Sequence, residues 1–448
     1  MSSDLNQIDP LTGSMRDFRE LEGIDLLARV EPFYRWKESR KHDGFWPYSK
    51  AMEEAPRPVT AAIDDQGRRT RGVNFSSQDY LGLSSHPAIK HAAKATIDEF
   101  GVHSAGSSAL SGNTKYSVAL ERTIAEFLNM EHTALYPTGW AAGYGAIKGL
   151  VRPDDHVVMD GLSHACLQEG ANSATRNIHL HGHLNLDSAR RHLKRIRSRD
   201  TVNGIMVVTE SLFSMDSDTP DIVALQELCR EYEATLLVDV AHDLGNLGPD
   251  GRGHIGMQDM LGKVDLVMGS FSKTFGSNGG FVTSRSPAVR EYLKFYGCSQ
   301  TFSNALSPVQ CASVLKAFNI IQSVEGKALR ETMMARVMYL RERLQDAGFE
   351  VMGTPSAIVP VVVGPEALAR IVCQKLPAQG IVANLVEYPA VAKGNARLRL
   401  QVMASHTNEN IDTLIEGLLV ASEAAKAQYQ RYCEQSVAAP APSLRASA

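Results

Sequence analysis

Two short segments place an acid, a base and an amine directly after apolar runs. Asp239 lies at the end of the apolar run Thr235–Val240, and His242 follows that run. Lys273 lies among the small and hydroxyl residues of Gly269–Thr274. A lysine that is desolvated at such a position has a lowered pKa, which Schiff-base chemistry requires. Each segment alone also fits a plainer interpretation, namely a helix-capping Asp beside a loop His, or a solvated Lys in a Ser/Gly loop.

Two further segments could supply a stacking histidine and a phosphate-binding turn. His164 follows the apolar run His156–Met159, and Gly139 and Trp140 follow the run Thr133–Tyr136 where a helix opens. Free backbone N–H groups at a helix N-terminus bind phosphate well. A single Trp is more often a core residue, so this segment is not specific by itself.

Together these residues are the side chains that a pyridoxal phosphate (PLP) site needs. Asp239 would pair with the pyridine nitrogen of the cofactor and keep its ring an electron sink. His164 would stack on the ring, His242 would bond to the phenolic oxygen, and Lys273 would form the Schiff base. The sequence therefore predicts PLP as the cofactor.

Three alternating histidines offer a different chemistry. His179, His181 and His183 would share one face of a strand, which could suit a metal ion. The next acidic residue is Asp187, and no Cys, Asp or Glu at ligand spacing precedes it. A strand edge or loop is the favoured interpretation, and no metal site is expected.

Short apolar runs alternate with amphipathic stretches through the middle of the chain. Because the runs are apolar on both faces, they are typical of buried strands in a parallel sheet. The stretch Ile222–Glu233 is one of the crossover helices that such a sheet requires, so the fold class is α/β. Ligands of these sheets bind at the strand ends. The strand candidates are Thr133–Tyr136, His156–Met159, Ile205–Thr209, Thr235–Val240, Asp265–Gly269 and Gly280–Thr283.

The domain organisation follows from shifts in this pattern. Residues 1–72 form an N-terminal extension with helices expected around 15–40, and residues 73–322 form a large domain. A long charged helix, Ser323–Ala347, opens a smaller α+β domain over 323–432. The Ala/Pro/Ser-rich tail 433–448 is expected to be disordered. The elements expected in the small domain are strands Ile358–Val363, Ile381–Val386 and Leu398–Met403 and helix Asn408–Lys426.

Composition excludes several classes of protein. The 448 residues carry a net charge of −4, which does not favour binding to nucleic acid. No apolar run approaches the roughly 18 residues that span a bilayer, and the polar N-terminus predicts no secretory signal. The six cysteines are scattered without a CxxC pair, which indicates reduced thiols and a cytoplasmic enzyme.

Five segments resemble those of the α-oxoamine synthases, which are PLP enzymes of fold type I. The resemblance runs from about Val73 to about Ala425 and implies a large domain with a mostly parallel sheet and a smaller C-terminal α+β domain. Glu387 falls where some family members carry a second carboxylate-binding Arg. The matching segments are Asn74–Leu83, Glu210–Asp216, Val238–His242, Gly269–Thr274 and Ala396–Arg399.

The resemblance also implies how the cofactor is held. Ser270 and the backbone of Gly139 and Trp140 would bind the cofactor phosphate. Ser303 would reach the phosphate of the neighbouring subunit, which implies a homodimer with a shared active site. Ser214 would lie near the cofactor ring.

Residues on the substrate side follow from the same resemblance. Arg399 would bind the carboxylate of an amino acid. Glu210 would pair with a polar residue of the segment Asn74–Leu83, in which Gln78 stands where the family usually has Asn. Gln78 would line the substrate site.

The implied activity is that of a PLP-dependent acyltransferase. It would condense a small amino acid (glycine, alanine or serine) with an acyl thioester of CoA or acyl carrier protein, and loss of CO₂ would leave an α-amino ketone. Another fold-type-I enzyme, such as an aminotransferase, would need no thioester. A non-catalytic homologue is a third alternative, against which the presence of Lys273 argues.

Overall fold

The structure, a computed structural model, describes residues 8–438. Its strands are β1 Ala51–Met52, β2 Val59–Ile63, β3 Arg69–Asn74, β4 His132–Tyr136, β5 His156–Asp160, β6 Asn177–His181, β7 Ile205–Glu210, β8 Thr235–Asp239, β9 Leu266–Ser270, β10 Gly280–Ser284, β11 Glu350–Val351, β12 Ile358–Gly364, β13 Ile381–Val382, β14 Asn384–Val386 and β15 Ala396–Gln401. Its α-helices are α1 Glu31–His42, α2 Pro87–Phe100, α3 Lys115–Phe127, α4 Gly139–Leu150, α5 Ala165–Ala174, α6 Leu186–Arg197, α7 Ile222–Glu231, α8 Gly253–Met257, α9 Pro287–Tyr296, α10 Cys298–Thr301, α11 Pro308–Ile321, α12 Val324–Asp346, α13 Glu366–Lys375 and α14 Asn408–Ala438.

A seven-stranded sheet in the order β4-β10-β9-β8-β7-β5-β6 forms the centre of the large domain. Only β10 runs against its two neighbours, so the other strands all point the same way. The carboxyl ends of β5, β7, β8 and β9 therefore meet at one edge. This arrangement confirms the predicted α/β class with a mostly parallel sheet, and each strand predicted for the large domain is present.

The central strands are apolar on both faces because helices cover both sides of the sheet. Val207 of β7 and Val238 of β8 belong to one core cluster, whereas Val208 and Leu237 belong to the cluster on the opposite face. All four side chains are fully buried. Successive side chains along each strand thus pack against helices on opposite faces of the sheet. This packing fixes the position of the strand ends.

A second sheet, antiparallel and ordered β11-β12-β15-β14, forms the small domain together with α12, α13 and α14. The strand predicted at 381–386 is in fact two. Ile381 of β13 pairs in parallel with Val73 of β3, whereas Asn384 of β14 pairs with Arg399 of β15. The chain changes sheets at Ala383 because β3, from the N-terminal part of the chain, supplies another edge for it.

The N-terminal part of the chain packs onto the small domain through β1-β2-β3-β13. The predicted boundary between residues 72 and 73 falls inside β3. In the predicted helical region, the structure has α1 and short 3₁₀ turns at Met15–Phe18 and Ala28–Val30. The predicted extension is thus joined to the small domain by a shared sheet.

A buried network of charged groups around Glu387 strengthens the contact between the N-terminal part and the small domain. Its carboxylate lies 2.6 Å from Nε of Arg370 and 3.6 Å from Nη1 of Arg40, and it accepts a hydrogen bond of 2.8 Å from Tyr48. All three charged side chains are essentially inaccessible to solvent. Since Arg40 and Tyr48 belong to the N-terminal part, Glu387 serves this joint.

The last helix is longer than predicted. Helix α14 continues to Ala438, because Tyr429 and Tyr432 beyond the predicted end at Lys426 pack against the small-domain core. Residues 433–438 of the predicted disordered tail are therefore helical, and residues 439–448 lie outside the described residues. Among the helices of residues 8–438, none is long and apolar enough to cross a membrane.

Candidate active site

A cavity of about 360 Å³ opens where the strands of the central sheet end. A larger cavity, of about 670 Å³, lies at the opposite ends of β7, β8 and β9 and contains none of the predicted residues. The smaller one gathers side chains from both domains. The predicted residues that line it are Gln78, Gly139, Trp140, His164, Glu210, Ser214, Asp239, His242, Ser270, Lys273 and Arg399.

Lys273 shares the cavity with two buried carboxylates. Burial lowers the pKa of its ammonium, although the charges of Asp239 and Glu210 counter part of this effect. Burial also raises the pKa of both carboxyl groups, and the neighbouring Asp239 charge raises that of Glu210 further. The cavity thus favours an uncharged, nucleophilic amine at Lys273.

Strand register sets the position of Asp239. It ends β8 directly opposite Glu210, the last residue of β7. The N–H of Ala241 donates to Oδ1 at 2.8 Å, which fixes the plane of the carboxylate. Oδ2 receives no hydrogen bond from residues 8–438, so this oxygen is available to a donor that enters the cavity.

The resemblance predicts that Glu210 pairs with a polar residue of the segment Asn74–Leu83, but within the described residues Glu210 makes no hydrogen bond to that segment. Its Oε1 instead accepts a hydrogen bond of 2.6 Å from the backbone N–H of His164. The reason is strand order, since β7 lies next to β5 and the loop after β5 carries His164. Gln78 lines the same cavity and makes no hydrogen bond to Glu210 within the described part of the chain.

The ring of His164 is held at its Nδ1 atom. The N–H of Cys166 donates to this nitrogen at 3.2 Å, and Cys166 Sγ lies 3.0 Å from it. Burial lowers the pKa of His164, although Asp239 counters this effect. The ring is therefore oriented at the cavity wall, where a flat cofactor could stack on it.

Sequence reasoning missed a role for Tyr80. Its hydroxyl lies 3.3 Å from Nδ1 of His242, and both residues are buried. Burial holds the pKa of His242 well below its usual value, so the ring is neutral. When the hydroxyl donates to Nδ1, the proton of the ring sits on Nε2. Tyr80 belongs to a segment that matched the family, but only the fold shows that it touches His242.

The start of helix α4 forms a place for an anion. Thr138 caps the helix through a 3.0 Å hydrogen bond from the N–H of Ala141. This leaves the N–H groups of Gly139 and Trp140 free of partners in the described residues. A Cβ atom at Gly139 would lie 2.3 Å from Cβ of Ser270, so only glycine permits this close approach.

Arg399 has no carboxylate partner among residues 8–438. It reaches the cavity from β15, and its Nε is buried with no hydrogen-bond partner. Its Nη1 atom lies 4.0 Å from Sδ of Met215. Burial lowers the pKa of Arg399. Since a buried unpaired charge is costly, the arrangement suits a carboxylate ligand.

The residues fit PLP on these observations. An open carboxylate oxygen, a neutral imidazole, a desolvated amine and an anion-binding helix start surround one cavity. They are the groups that a pyridine nitrogen, a phenolic oxygen, an aldehyde and a phosphate would meet. Ser303 stands apart, since it is not among the residues that line this cavity.

The alternating histidines lie outside the cavity and do not act together. Nε2 of His179 lies 3.2 Å from Nδ1 of His156 on the adjacent strand. His181 bonds to the carbonyl of Gly182, and His183 bonds to two aspartates. The three rings therefore face different partners rather than one common point.

Comparisons with known proteins identify the family of the chain. Residues 70–418 match the family described as aminotransferase class I and II. The chain is 33% identical over 344 residues to 8-amino-7-oxononanoate synthase of Thermoanaerobacter pseudethanolicus, covering 77% of this chain and 86% of that protein. It is 31% identical over 415 residues to 4-hydroxy-2,2'-bipyrrole-5-methanol synthase PigH of Serratia, covering 92% of this chain but only 62% of the length of PigH.

Solved structures give the same result. Sphingomonas wittichii serine palmitoyltransferase superposes with a TM-score of 0.83 at 28% identity, covering 90% of this chain and 99% of that one. A high-resolution serine palmitoyltransferase structure that contains PLP also has a TM-score of 0.83, at 26% identity, with the same coverage. The chain belongs to the α-oxoamine synthase family, and it is a PLP-dependent acyltransferase of fold type I.

The contact between Tyr80 and His242 gives a first prediction. Tyr80→Phe should retain PLP but shift the visible absorbance of the holoenzyme, because His242 loses the bond that fixes its ring proton. A neutral hydrogen bond is worth about 1 kcal/mol, so turnover should fall about fivefold. The matched control is Tyr136→Phe, since the Tyr136 hydroxyl is also buried but has no hydrogen-bond partner among the residues that the structure describes. Equal spectra and rates in both variants would contradict the assignment.

Proposed function

We propose that this α-oxoamine synthase joins glycine, L-alanine or L-serine to an acyl thioester of CoA or of an acyl carrier protein. The condensation is of Claisen type, it loses CO₂, and its product is an α-amino ketone. The observation that carries the proposal is the Arg399 guanidinium, which has no carboxylate partner in the described part of the chain and shares its cavity with the desolvated Lys273. The Arg399 guanidinium suits the carboxylate of an amino acid, and the Lys273 amine suits removal of the Cα proton.

Asp239, His164, His242, Ser270 and the backbone of α4 would hold the cofactor. When bound, PLP supplies an electron sink that makes the Cα proton of an amino acid acidic. The Oδ2 atom of Asp239 has no other partner in the described residues and would keep the pyridine nitrogen protonated. With Nδ1 of His242 bonded to Tyr80, the Nε2 atom would donate to the phenolic oxygen.

Lys273 and Arg399 act on the amino acid. Because burial lowers its pKa, a larger fraction of the Lys273 amine is unprotonated at neutral pH and can take the proton at Cα. Arg399 binds the carboxylate through its planar fork, which orients Cα over the cavity. Because residues of both domains line the cavity, they would limit the access of water to Cα while it reacts with the thioester.

The residues that share the cavity with Arg399 support a small amino acid. Gln78 and Met215 line this cavity together with Arg399, and they occupy part of its wall. One similar structure is named for serine, which is among the three amino acids proposed here.

A coupled assay tests this function. The holoenzyme is incubated with each amino acid and a series of acyl-CoA and acyl-carrier-protein thioesters, and free thiol and CO₂ are both measured. We expect amino-acid-dependent release of thiol, with Lys273→Ala inactive although it still folds. Transfer of the amino group to a 2-oxo acid without thiol release would establish an aminotransferase instead. A folded wild type that binds no PLP would contradict the cofactor assignment as well.

We also propose a homodimer in which Ser303 completes the phosphate site of the partner subunit. Ser303 follows Phe302, whose side chain is 87% exposed. A bridge between Ser107 and Asn304 joins this segment to residues 102–110, which add exposed apolar side chains at Val102 and Leu110. An apolar surface of this kind supports a contact with another subunit.

Complementation tests the shared site. A Ser303→Ala variant and a Lys273→Ala variant, each weakly active or inactive, are mixed and allowed to exchange subunits. A mixed dimer has one site with both defects and one site with neither, so part of the activity should return. If mixed dimers form, as shown by two affinity tags, and no activity returns, then each site is built within one chain.

The proposal places the enzyme in the cytoplasm. All six cysteines are free, and they include buried thiols at Cys166, Cys229 and Cys311. Burial raises the pKa of Cys311 to about 12, so this thiol stays protonated and unreactive. Thiols of this kind suit a reducing compartment.

A further inference from the structure

The turn 213–218 after β7 connects the cavity with both domains. It is closed by hydrogen bonds of 2.9 Å from the N–H of Phe213 to the carbonyl of Asp218, and from the N–H of Ser217 to the carbonyl of Phe213. Ser214 and Met215, at the tip of the turn, line the cavity. The position of this turn therefore determines where Ser214 and Met215 lie in the cavity wall.

On the large-domain side, His183 holds the turn. Its Nδ1 lies 3.0 Å from Asp160 and its Nε2 lies 3.0 Å from Asp218. Burial alone would lower the pKa of His183, but its hydrogen bonds with Asp160 and Asp218 raise the pKa to about 10. The ring is therefore a cation at neutral pH and ties the turn to the end of β5.

On the small-domain side, Arg397 holds the turn. Its guanidinium forms an ion pair with Asp216 and donates to the carbonyl of Met215 at 3.2 Å. Both charged residues are buried. The turn is also docked by Ser217, whose Oγ lies 2.8 Å from Oγ of Ser356. Asp216 thus joins β15 to the loop that follows β7.

The same strand carries the carboxylate-binding residue. Arg397 and Arg399 are two positions apart on β15, so their side chains leave the same face of the sheet. Nη1 of Arg399 lies 4.0 Å from Sδ of Met215, the residue whose carbonyl Arg397 binds. The ion pair therefore sets the distance between the Arg399 guanidinium and the turn that faces it.

We propose that Arg397 is a positioning residue for amino-acid binding: its buried ion pair with Asp216 holds Arg399 at the cavity. This inference rests on the proposed function, because it concerns the site for the amino-acid carboxylate. Arg397 is not among the residues that line the cavity, so it acts through Arg399 and Met215. Removing it should weaken amino-acid binding and leave the cofactor in place.

A purely structural role for the ion pair gives a different result. Loss of a buried partner leaves an uncompensated charge and lowers stability in either case. Only a positioning role also changes the affinity for amino acids at a temperature where the variant is fully folded. The measurement must therefore be a binding constant, with the melting temperature and PLP content recorded beside it.

The test is a spectral titration of the holoenzyme with glycine, L-alanine and L-serine. We expect Arg397→Met to raise the apparent Kd about tenfold or more with an unchanged PLP content, because small misplacements are costly. Asp216→Asn removes the same ion pair with less change of shape and should give a similar loss. The double variant should be no worse than the poorer single variant, since the two residues act as one pair.

Two further variants sharpen the result. Arg397→Lys keeps a charge toward Asp216 and should recover part of the affinity. Arg343→Met removes a partly exposed ion pair with Asp412 in the same domain and should leave the affinity unchanged.

Amino-acid binding as tight as wild type in both Arg397→Met and Asp216→Asn would overturn the inference alone. Should Arg397→Met fail to fold, Asp216→Asn and Arg397→Lys carry the same comparison. A wild-type holoenzyme that responds to none of the three amino acids would overturn the proposed function, and this inference with it.

Discussion

The active site depends on the burial of one amine and two carboxylates together at the carboxyl ends of adjacent strands. Strand pairing places Asp239 directly opposite Glu210, and Lys273 lies within reach of both charges. Burial pushes the pKa of the amine down and the pKa of both acids up, so each group is driven toward its neutral form. A cofactor that engages Asp239 and Lys273 together would relieve this cost, since both of these groups would gain a partner.

The second requirement is contact between the domains. The large domain supplies Lys273 and Asp239, whereas Arg399 reaches the cavity from the small domain. The turn 213–218 contacts both domains, and its ion pair between Asp216 and Arg397 is buried. The N-terminal part of the chain is in turn joined to the small domain through β3 and Glu387. The small domain therefore contacts the large domain through this turn and the N-terminal part of the chain through β3 and Glu387.

Much of this site could be predicted from the sequence because its signals are local. A strand that ends in Asp239 and a lysine within a Ser/Gly segment are each visible within a few residues. The partners of these residues are not local. Tyr80 meets His242 across 162 positions, and Glu210 meets the backbone of His164 because of strand order. The pairing of β13 with β3 divides a run that reads as one strand, and only the fold reveals that edge.

Borohydride trapping tests the central claim most directly. The holoenzyme is reduced, digested and mapped by mass spectrometry, with and without saturating amino acid. The account predicts that without amino acid the phosphopyridoxyl group is fixed to Lys273, and that with amino acid it leaves the protein attached to that amino acid. A label on a different lysine, or a label on Lys273 that no amino acid displaces, would contradict it.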